Sequence, residues 1–535
     1  MATTEKFQAI SPAEFFYRNK EIAGFSNPAR ALYQSVRELV ENALDATDAH
    51  GILPNIEVRI ERDKVKTYVY RISVKDNGIG IPPQYVPEAF GRVLFSSKYV
   101  LRQTRGMFGL GAKMVVLYSQ ITVGEPVEVI TSPINSKRIY AFKIMIDIKE
   151  NKPIILMRAS WKKTGNWHGT LVRVAIEGDW GRAKSRIIEY IRRTAIVTPY
   201  ANIVFETPDG EVYIYKRVTE EMPPPPRETK PHPHGIDLEM LRMMIKSTSA
   251  TTLFDFLVQE FQGVGKVTAE RFLKTYGFDP NKNPKELQQK EIEALLKALR
   301  SFTEFKGPRS DHLSPIGAEL IKIGLSAILK PEFVDAVTRK PVVYEGHSMI
   351  VEVGIAYGGE IPPQDHPILL RYANKIPLLY DEKSDVAWKV ISENIDWSHY
   401  GIQFPAPIAI LVHVCGTKIP YKGVGKESIA DVPVLENEIE NGIRQVARSL
   451  KNYLIKKRKE EEMQRKAITI IKYIPEVARS LAVFLRYSLE PAKQSIADPP
   501  SEQDLENMLF ELVKKKLGTL PKNISSPRDV VLSIE

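Results

Sequence analysis

The spacing of apolar residues over 1–220 alternates between a helical and a strand period. A helix is predicted over about 28–49, where Pro28 is tolerated in the first turn after Asn27. The helix has one apolar stripe, formed by Leu32, Val36, Leu39, Val40 and Ala43. Alternation with period two predicts a half-buried strand through Tyr68, Tyr70, Ile72 and Val74. Further strands are predicted near 126–130, 138–147, 169–176 and 203–215.

Four consecutive prolines in Met222-Pro-Pro-Pro-Pro-Arg227 end this first region, because they continue neither a helix nor a central strand. A small helical region follows over about 229–306. A second α/β region starts near 307, with strands at about 342–357, 367–371 and 406–414 and a long helix from roughly 433 to 468. The last ~65 residues are predicted to be helical. Interruptions are expected there at Pro475, Pro491 and 498–501.

Composition removes several classes of protein. The 75 Lys and Arg against 65 Asp and Glu give a net charge of +10, which mildly favours anionic partners. There is no apolar run of about 18 residues and no apolar signal region at the N-terminus, so we expect neither a membrane span nor secretion. The single cysteine, Cys415, cannot form an internal disulfide. This predicts a cytoplasmic protein and excludes a cysteine-rich zinc module.

The helix predicted over 28–49 carries polar side chains beside its apolar stripe. Glu38, Asn42 and Asp45 are spaced i, i+4 and i+7, which places them on one face. A carboxylate beside an amide oxygen suits a water-activating base next to a Mg²⁺ ligand, because magnesium takes few protein oxygens besides water and phosphate. The polar edge of an ordinary amphipathic helix has the same spacing, so this motif alone decides nothing.

The segment Asp76-Asn-Gly-Ile-Gly80 directly follows the predicted strand. Asp76 shares the parity of the buried positions, so its carboxylate is predicted to point to the packed side, where it needs hydrogen-bond donors. The exocyclic amine of a bound base would be one, and Gly78 and Gly80 let the backbone approach a flat ring. A hairpin turn is the alternative, weakened because Ile79-Gly-Ile-Pro-Pro83 does not continue as a returning strand.

The stretch from Arg92 to Lys113 contains no acidic residue. Its five cations are Arg92, Lys98, Arg102, Arg105 and Lys113. Within it, Gly106-Met-Phe-Gly109-Leu-Gly111 leads into an apolar helix predicted at about 112–119. A glycine-rich segment at a helix N-terminus donates backbone amides to phosphate groups. A basic surface loop is the alternative.

Four short motifs follow one another along the chain: Glu-x-x-x-Asn, Asp-x-Gly-x-Gly, Gly-x-x-Gly-x-Gly and Gly169-Thr170. In this order they resemble the four ATP-binding motifs of the GHKL superfamily. The Bergerat fold of that superfamily is an α/β sandwich. The resemblance implies that Glu38 is the general base for the attacking water and Asn42 the Mg²⁺ ligand. It also implies that Asp76 binds the adenine amine, with Thr170 helping through water. The other implied ATP-binding residues are Gly80, Ser97, Lys98, Gly106, Met107, Gly109, Leu110, Gly111 and Lys113.

Longer segments are more selective than these motifs. Four segments resemble the B-subunit family of archaeal DNA topoisomerase VI, a type IIB enzyme: 30–47, 91–99, 102–106 and 419–428. The likeness extends over essentially the whole chain. It implies a GHKL ATPase domain over 1–228, a helix-two-turn-helix domain over 229–306, a transducer domain with a long helix over 307–470 and a helical C-terminal region over 471–535. The position matching the transducer lysine that reaches the γ-phosphate is Lys426.

The resemblance also implies a mechanism and partners. ATP binding would dimerise two copies of the chain, with residues before Ser11 crossing between protomers, and this would gate double-strand passage. DNA cleavage would belong to a separate A subunit in a heterotetramer of two A and two B chains, since the chain has no Asp-x-Asp pair of a Toprim metal site. The implied cofactors are ATP and Mg²⁺, and the implied substrate is double-stranded DNA, with no membrane involved.

Other interpretations stay open from the residues alone. A sensor histidine kinase needs a phosphoacceptor histidine on a helix before the ATP motifs, and no histidine precedes Pro28. A MutL-like repair factor or a chaperone shares the nucleotide motifs but not the helical insert. The net charge of +10 also fits a non-enzymatic nucleic-acid binder. In the insert, the turn Gly263-Val-Gly265 beside Lys266 either presents amides to a DNA backbone or is a scaffold turn.

Overall fold

The computed structural model describes residues 9–96, 100–106, 109–423, 425–489 and 500–517. The chain divides into two compact units, Met1–Ala447 and Arg448–Glu535. The domain boundaries given above stay predictions. Ser97, Lys98 and Met107 lie outside the described residues, as does the segment before residue 9.

The helices and strands are numbered in chain order. The helices are α1 (Pro12–Arg18), α2 (Pro28–Asp48), α3 (Val86–Gly91), α4 (Gly111–Thr122), α5 (Trp180–Val197), α6 (Leu238–Ser247), α7 (Leu253–Glu260), α8 (Lys266–Tyr276), α9 (Gln289–Ser301), α10 (Ala318–Leu329), α11 (Val386–Lys389), α12 (Pro433–Leu489) and α13 (Glu502–Leu517). The strands are β1 (Asn55–Arg62), β2 (Val69–Lys75), β3 (Val127–Ser132), β4 (Arg138–Asp147), β5 (Lys152–Lys162), β6 (Gly169–Glu177), β7 (Asn202–Glu206), β8 (Val212–Tyr215), β9 (Phe333–Thr338), β10 (Val342–Tyr344), β11 (His347–Tyr357), β12 (Ile368–Ala373), β13 (Ile376–Pro377) and β14 (Ile408–Gly416).

The first sheet, as far as the chain is described, has eight strands in the order β5-β4-β3-β6-β2-β1-β7-β8. Neighbouring strands are antiparallel except β1 and β7, which are parallel. Helix α2 packs against β2 and β6 and between α4 and α5. Its apolar stripe and the inner face of the sheet form one buried core. The α/β fold class predicted from the sequence is therefore confirmed.

The second sheet has the order β10-β11-β14-β12-β13, and β9 pairs with β11. Helix α10 packs on β9 and β11 and also against α5 of the first region. A shared core joins Ile196 and Tyr200, at the end of α5, to Ile321, Leu325 and Tyr372. Within the first unit, the second α/β region therefore packs on the first through a shared apolar core.

The helical insert has a core of its own, drawn from α6 to α9. The aromatic residues Phe256, Phe261 and Phe272 are buried in it, and Phe254 packs against it. These side chains therefore form the core of the insert and do not form an exposed stacking surface.

The strand predictions are incomplete. β1, β5, β9 and β13 were not predicted from the sequence. The single strand expected over 203–215 is a hairpin of β7 and β8, with Gly210 at a φ of 83° between them. The strand expected over 342–357 is likewise divided into β10 and β11, which pair with each other. In both places a short polar segment with a glycine at positive φ forms the turn, which the prediction of one long strand overlooked.

The long helix α12 differs most from expectation. It runs from Pro433 to Leu489, so the predicted end near 468 and the predicted interruption at Pro475 are wrong. Apolar residues continue past the proline at helical spacing, and they pack against α13. The two contact clusters are Ile471 and Ile474 with Phe510, and Ala478 and Ala482 with Leu505. This packing offsets the backbone hydrogen bond that proline removes.

None of the helices in the described ranges is long and apolar enough to cross a membrane.

Candidate functional site

A cavity of about 950 Å³ opens between α2, the turn after β2, the start of α4 and two connecting segments of the second α/β region. This volume is within the range of small-molecule sites. Every site residue predicted from the sequence that the structure describes lines the cavity. They are Glu38, Asn42, Asp76, Gly80, Gly106, Gly109, Leu110, Gly111, Lys113, Thr170 and Lys426. Motifs far apart in the sequence thus meet at one space.

Helix α2 brings Glu38 and Asn42 to the cavity on adjacent turns. The helix starts where the Asn27 side chain accepts a hydrogen bond from the Arg30 amide at 2.9 Å. One turn before the carboxylate, Gln34 Nε2 donates to Glu38 Oε1 at 2.7 Å. A Cβ at Gly111 would overlap Glu38 Oε2, so a larger residue at the start of α4 would displace this carboxylate. The first and third motifs thus meet directly at the cavity.

Asp76 is a buried carboxylate with two backbone donors. It is 6% exposed, and its Oδ1 accepts from the Gly78 amide at 2.8 Å and the Thr170 amide at 3.1 Å. Burial raises the pKa of this carboxyl to about 7, although the two amide donors act to lower it. Both amides reach Oδ1, and within the described part of the chain no donor is seen on Oδ2. The second oxygen is thus suited to accept a hydrogen bond from a ligand.

The turn after Asp76 is held rigidly against the sheet. Gly80 has a φ of 69°, and a Cβ there would overlap the Ser132 carbonyl oxygen. The Ile81 amide donates to Thr131 Oγ1 at 2.9 Å, and this hydroxyl lies 3.4 Å from Thr170 Oγ1. The chain continues from here into α3, so Asp76–Gly80 is not the turn of a hairpin.

The cations of the glycine-rich stretch do not all face the cavity in the same way. Lys113 is buried in the first turn of α4 and lines the cavity. Arg105 is also buried, but it pairs with two acids of α2: Nη1 lies 3.2 Å from Asp45 Oδ1 and Nη2 lies 2.7 Å from Asp48 Oδ2. The stretch is therefore more than a basic surface loop, since one of its arginines anchors it to the helix that carries Glu38.

The second α/β region also reaches the cavity. Lys426 lies in the loop after β14, and the neighbouring Glu427 is buried with its Oε1 3.5 Å from both Arg30 and Arg37 of α2. Lys375, in the turn between β12 and β13, lines the cavity as well. Sequence reasoning missed Lys375, because a single lysine beside an asparagine at a turn carries no motif.

The donor set limits which metal site is possible. Among the described residues, no group of three or more His, Cys, Asp or Glu is arranged to hold a metal ion. Asn42 lines the cavity and offers one amide oxygen. This fits Mg²⁺, which completes its shell with water and substrate phosphates, and does not fit a metal that needs an all-protein cage.

Comparison with known proteins gives first the class and then the family. Residues 27–149 match the family of histidine kinase-, DNA gyrase B- and HSP90-like ATPases, and residues 308–466 match the transducer of the topoisomerase VI B subunit. With the α/β sandwich, the first match defines a GHKL-type ATPase. Among solved structures, the 43K ATPase domain of Thermus thermophilus gyrase B, in complex with an aminocoumarin, aligns with 86% of this chain and 98% of its own. The sequence identity is 13% and the TM-score is 0.39.

Two relatives match over nearly the full length. The B subunit of type 2 DNA topoisomerase 6 from Metallosphaera sedula is 54% identical over 526 residues, covering 98% of each chain. The same protein from Sulfurisphaera tokodaii is 54% identical over 524 residues, also covering 98% of each chain. This chain belongs to the B-subunit family of type 2 DNA topoisomerase 6. It has the ATPase and transducer regions of an ATP-dependent topoisomerase, which excludes the histidine-kinase and chaperone interpretations.

Proposed function

We propose that this chain binds and hydrolyses ATP in the cavity, and that the nucleotide state gates the passage of one DNA duplex through another cut by a separate A subunit. The observation that carries the proposal is the meeting of Glu38, Asp76 and the start of α4 around one space, with Lys113 and Lys426 on its wall. A carboxylate, a buried acceptor and cations in one cavity match the needs of phosphoryl transfer from a purine nucleotide.

Adenine recognition is assigned to the turn after β2. Asp76 Oδ2 accepts a hydrogen bond from the exocyclic amine, while Oδ1 stays on its two backbone donors. Thr170 adds a hydroxyl on the same side, 3.4 Å from Thr131 Oγ1. Gly80, which packs against Ser132, lines this part of the cavity as well. A guanine base presents an acceptor instead of the amine, so this arrangement favours ATP over GTP.

Hydrolysis is assigned to Glu38. Its Oε1 is fixed by Gln34, and the carboxylate accepts a proton from the water that attacks the γ-phosphate. The amides at the start of α4 and the Lys113 ammonium stabilise phosphate charge. Asn42 is the protein ligand of Mg²⁺, which when bound neutralises charge on the phosphates. We assign Ser97, Lys98 and Met107, together with Gly106, Gly109 and Gly111, to a lid over the phosphates.

Coupling to DNA is assigned to the second α/β region. Lys426 pairs with the γ-phosphate, and the Glu427 contacts with Arg30 and Arg37 hold its loop on α2. Hydrolysis removes the charge with which Lys426 pairs, so the orientation of the transducer follows the nucleotide. ATP thereby favours a dimer of two B chains in a complex with two A subunits, which acts on double-stranded DNA. We place this complex in the cytoplasm, in keeping with the single buried cysteine.

Sedimentation of the purified chain tests the proposal. With a non-hydrolysable ATP analogue, the sedimented mass is expected to double. At the lowest analogue concentration that doubles the wild-type mass, Asp76→Asn should prevent the doubling, while the matched substitution of an exposed aspartate, Asp365→Asn, should not. An unchanged mass of the wild-type chain at saturating analogue contradicts the dimer, and doubling in Asp76→Asn contradicts the adenine site.

A further inference from the structure

The turn between β12 and β13 has an unfavourable backbone for the residues that it contains. Ala373 pairs with Ile376, so the turn itself is Asn374-Lys375. Both residues have a positive φ, 49° for Asn374 and 68° for Lys375. Two-residue turns of this kind prefer Asn followed by Gly, because a Cβ is disfavoured in the left-handed region. This chain has a lysine at the second position despite this preference, which points to a role of its side chain.

The Lys375 side chain is also buried. It is 5% exposed, its Nζ donates to Ser314 Oγ at 3.0 Å, and Nζ lies 3.9 Å from Asp48 Oδ2. Burial lowers the pKa of this ammonium, although Asp48 acts in the opposite direction. Lysine is among the residues least often buried, because removing its charge from water is unfavourable. Backbone strain and desolvation therefore converge on one side chain.

Lys375 reaches the glycine-rich stretch through one carboxylate. Asp48 Oδ2 accepts from Arg105 Nη2 at 2.7 Å and from the Tyr200 hydroxyl at 3.0 Å, on the same oxygen that faces Lys375. Asp48 of α2 is thus shared by Lys375 of the second α/β region and Arg105 of the glycine-rich stretch. Any displacement of the turn between β12 and β13 changes the charge balance around Arg105.

The residues next to Arg105 are tied to the same region. Gln103 exchanges two hydrogen bonds with the Ser314 backbone, at 3.0 and 2.7 Å. Asn374 Nδ2 donates to the Thr104 carbonyl at 3.2 Å. Gln103 and Thr104 are therefore held from the second α/β region, and Arg105 is held from α2, directly before Gly106. Lys375, Asn374 and Ser314 all line the cavity itself.

We propose that Lys375 is a positioning residue that couples residues 103–105, at the cavity wall, to the second α/β region through Asp48 and Arg105. The inference rests on the proposed function, in which the cavity holds ATP. Lys426 is assigned to the phosphate itself, whereas Lys375 acts on the protein groups beside it. A change in the orientation of the second α/β region therefore shifts Lys375 and with it residues 103–105, so ATP turnover depends on that orientation.

The substitution Lys375→Gly tests this role, because glycine fits the turn while the buried ammonium is lost. The variant is expected to be at least as thermally stable as the wild type, since Asp48 keeps Arg105 and Tyr200 as partners. In the complete complex with the A subunit and supercoiled DNA, kcat for ATP hydrolysis should fall about tenfold, and KM for ATP should stay within about twofold. Lys330→Gly is the matched control: Lys330 also has a positive φ, 46°, but is exposed, and its kcat should be unchanged.

Three outcomes decide. A wild-type kcat and relaxation rate in Lys375→Gly overturns the inference, and so does a lowered melting temperature with an unchanged kcat, which is the result of a purely structural lysine. Should Lys375→Gly fail to fold, Lys375→Gln, which keeps the length and removes the charge, is judged by the same two values. If the wild-type complex does not hydrolyse ATP, the proposed function itself is contradicted. This outcome is distinct from failure of the Lys375 inference, because it is measured on the wild type and not on a variant.

Discussion

The two sides of the cavity are built by different means. On the first side, Glu38, Asp76 and Gly111 lie on or directly beside regular elements, and each is fixed by backbone or neighbouring side-chain contacts. On the second side, Lys375 and Lys426 lie in a turn and a loop, and both have a positive φ. We infer from this contrast that groups assigned to the nucleotide's chemistry lie on or beside regular elements, whereas groups assigned to sensing its state lie on connections of the second α/β region.

The largest effect is expected on the first side, at Glu38. Glu38→Gln keeps the shape and the bond from Gln34 but cannot accept a proton, so kcat for ATP hydrolysis should fall by about 10²–10⁴-fold. ATP affinity, measured by calorimetry, should stay nearly unchanged. Glu270→Gln on the exposed face of α8 is the control and should leave turnover as it is. Normal hydrolysis by Glu38→Gln would show that the base has been assigned wrongly.

The next effect concerns adenine binding. In Asp76→Asn the amide oxygen stays on the Gly78 and Thr170 amides, which turns its NH₂ group toward the adenine amine. Two donors then face each other, and ATP affinity should fall by about 10–100-fold. Titration calorimetry with ATP and GTP measures this loss and the accompanying loss of base preference. Equal affinity of the variant and the wild type for ATP would remove Asp76 from the adenine site.

A smaller effect is expected on the second side of the cavity, where Lys375 and Lys426 lie. Lys426→Met removes the cation assigned to the γ-phosphate, and DNA relaxation per ATP consumed should fall about tenfold while ATP still binds. Lys422→Met is the matched control from the same loop, since Lys422 instead pairs with Asp431 at 2.9 Å. If the two variants behave alike, Lys426 has no special part in coupling, and the contrast between the two sides is lost.

The smallest effect is a dependence on pH. The pKa of Asp76 is raised to about 7 by burial, so the free protein takes up a proton there as pH falls through 7. An adenine amine favours the ionised carboxylate, so ATP affinity should weaken as the pH is lowered from about 8 to about 6, and binding near pH 7 should release a proton. Calorimetry in buffers of different ionisation enthalpy measures the proton. Asp76→Asn should abolish the release; a release that persists comes from another group.

The sequence and the structure agree best where the pattern is local. The bounds of α2, the burial of Asp76 and the glycines at the start of α4 follow from periodicity and motif spacing over a few residues. The second side of the cavity could not be predicted, because the strain and burial of Lys375 arise only when residues far apart in sequence pack together. Arg105 shows the same limit, since its cationic surroundings gave no indication that it pairs with Asp45 and Asp48. The roles assigned to the site residues stay predictions until the variants are measured.

Pro475 illustrates how tertiary packing overrides a local rule. A proline is a sound reason to end a helix when only neighbouring residues are considered. Helix α12 nevertheless continues through it, because the apolar stripe on both sides of the proline is buried against α13.

Relaxation of supercoiled DNA tests the central claim most directly. The wild-type chain, a candidate A subunit, ATP and Mg²⁺ are combined, each is omitted in turn, and Glu38→Gln replaces the wild type in a parallel series. We predict relaxation only in the complete wild-type mixture and no DNA cleavage by this chain alone. Two results would contradict the claim that this chain is the ATP-hydrolysing subunit and does not itself cut DNA. One is relaxation at the wild-type rate without ATP or with Glu38→Gln. The other is cleavage of DNA by the purified chain without its partner.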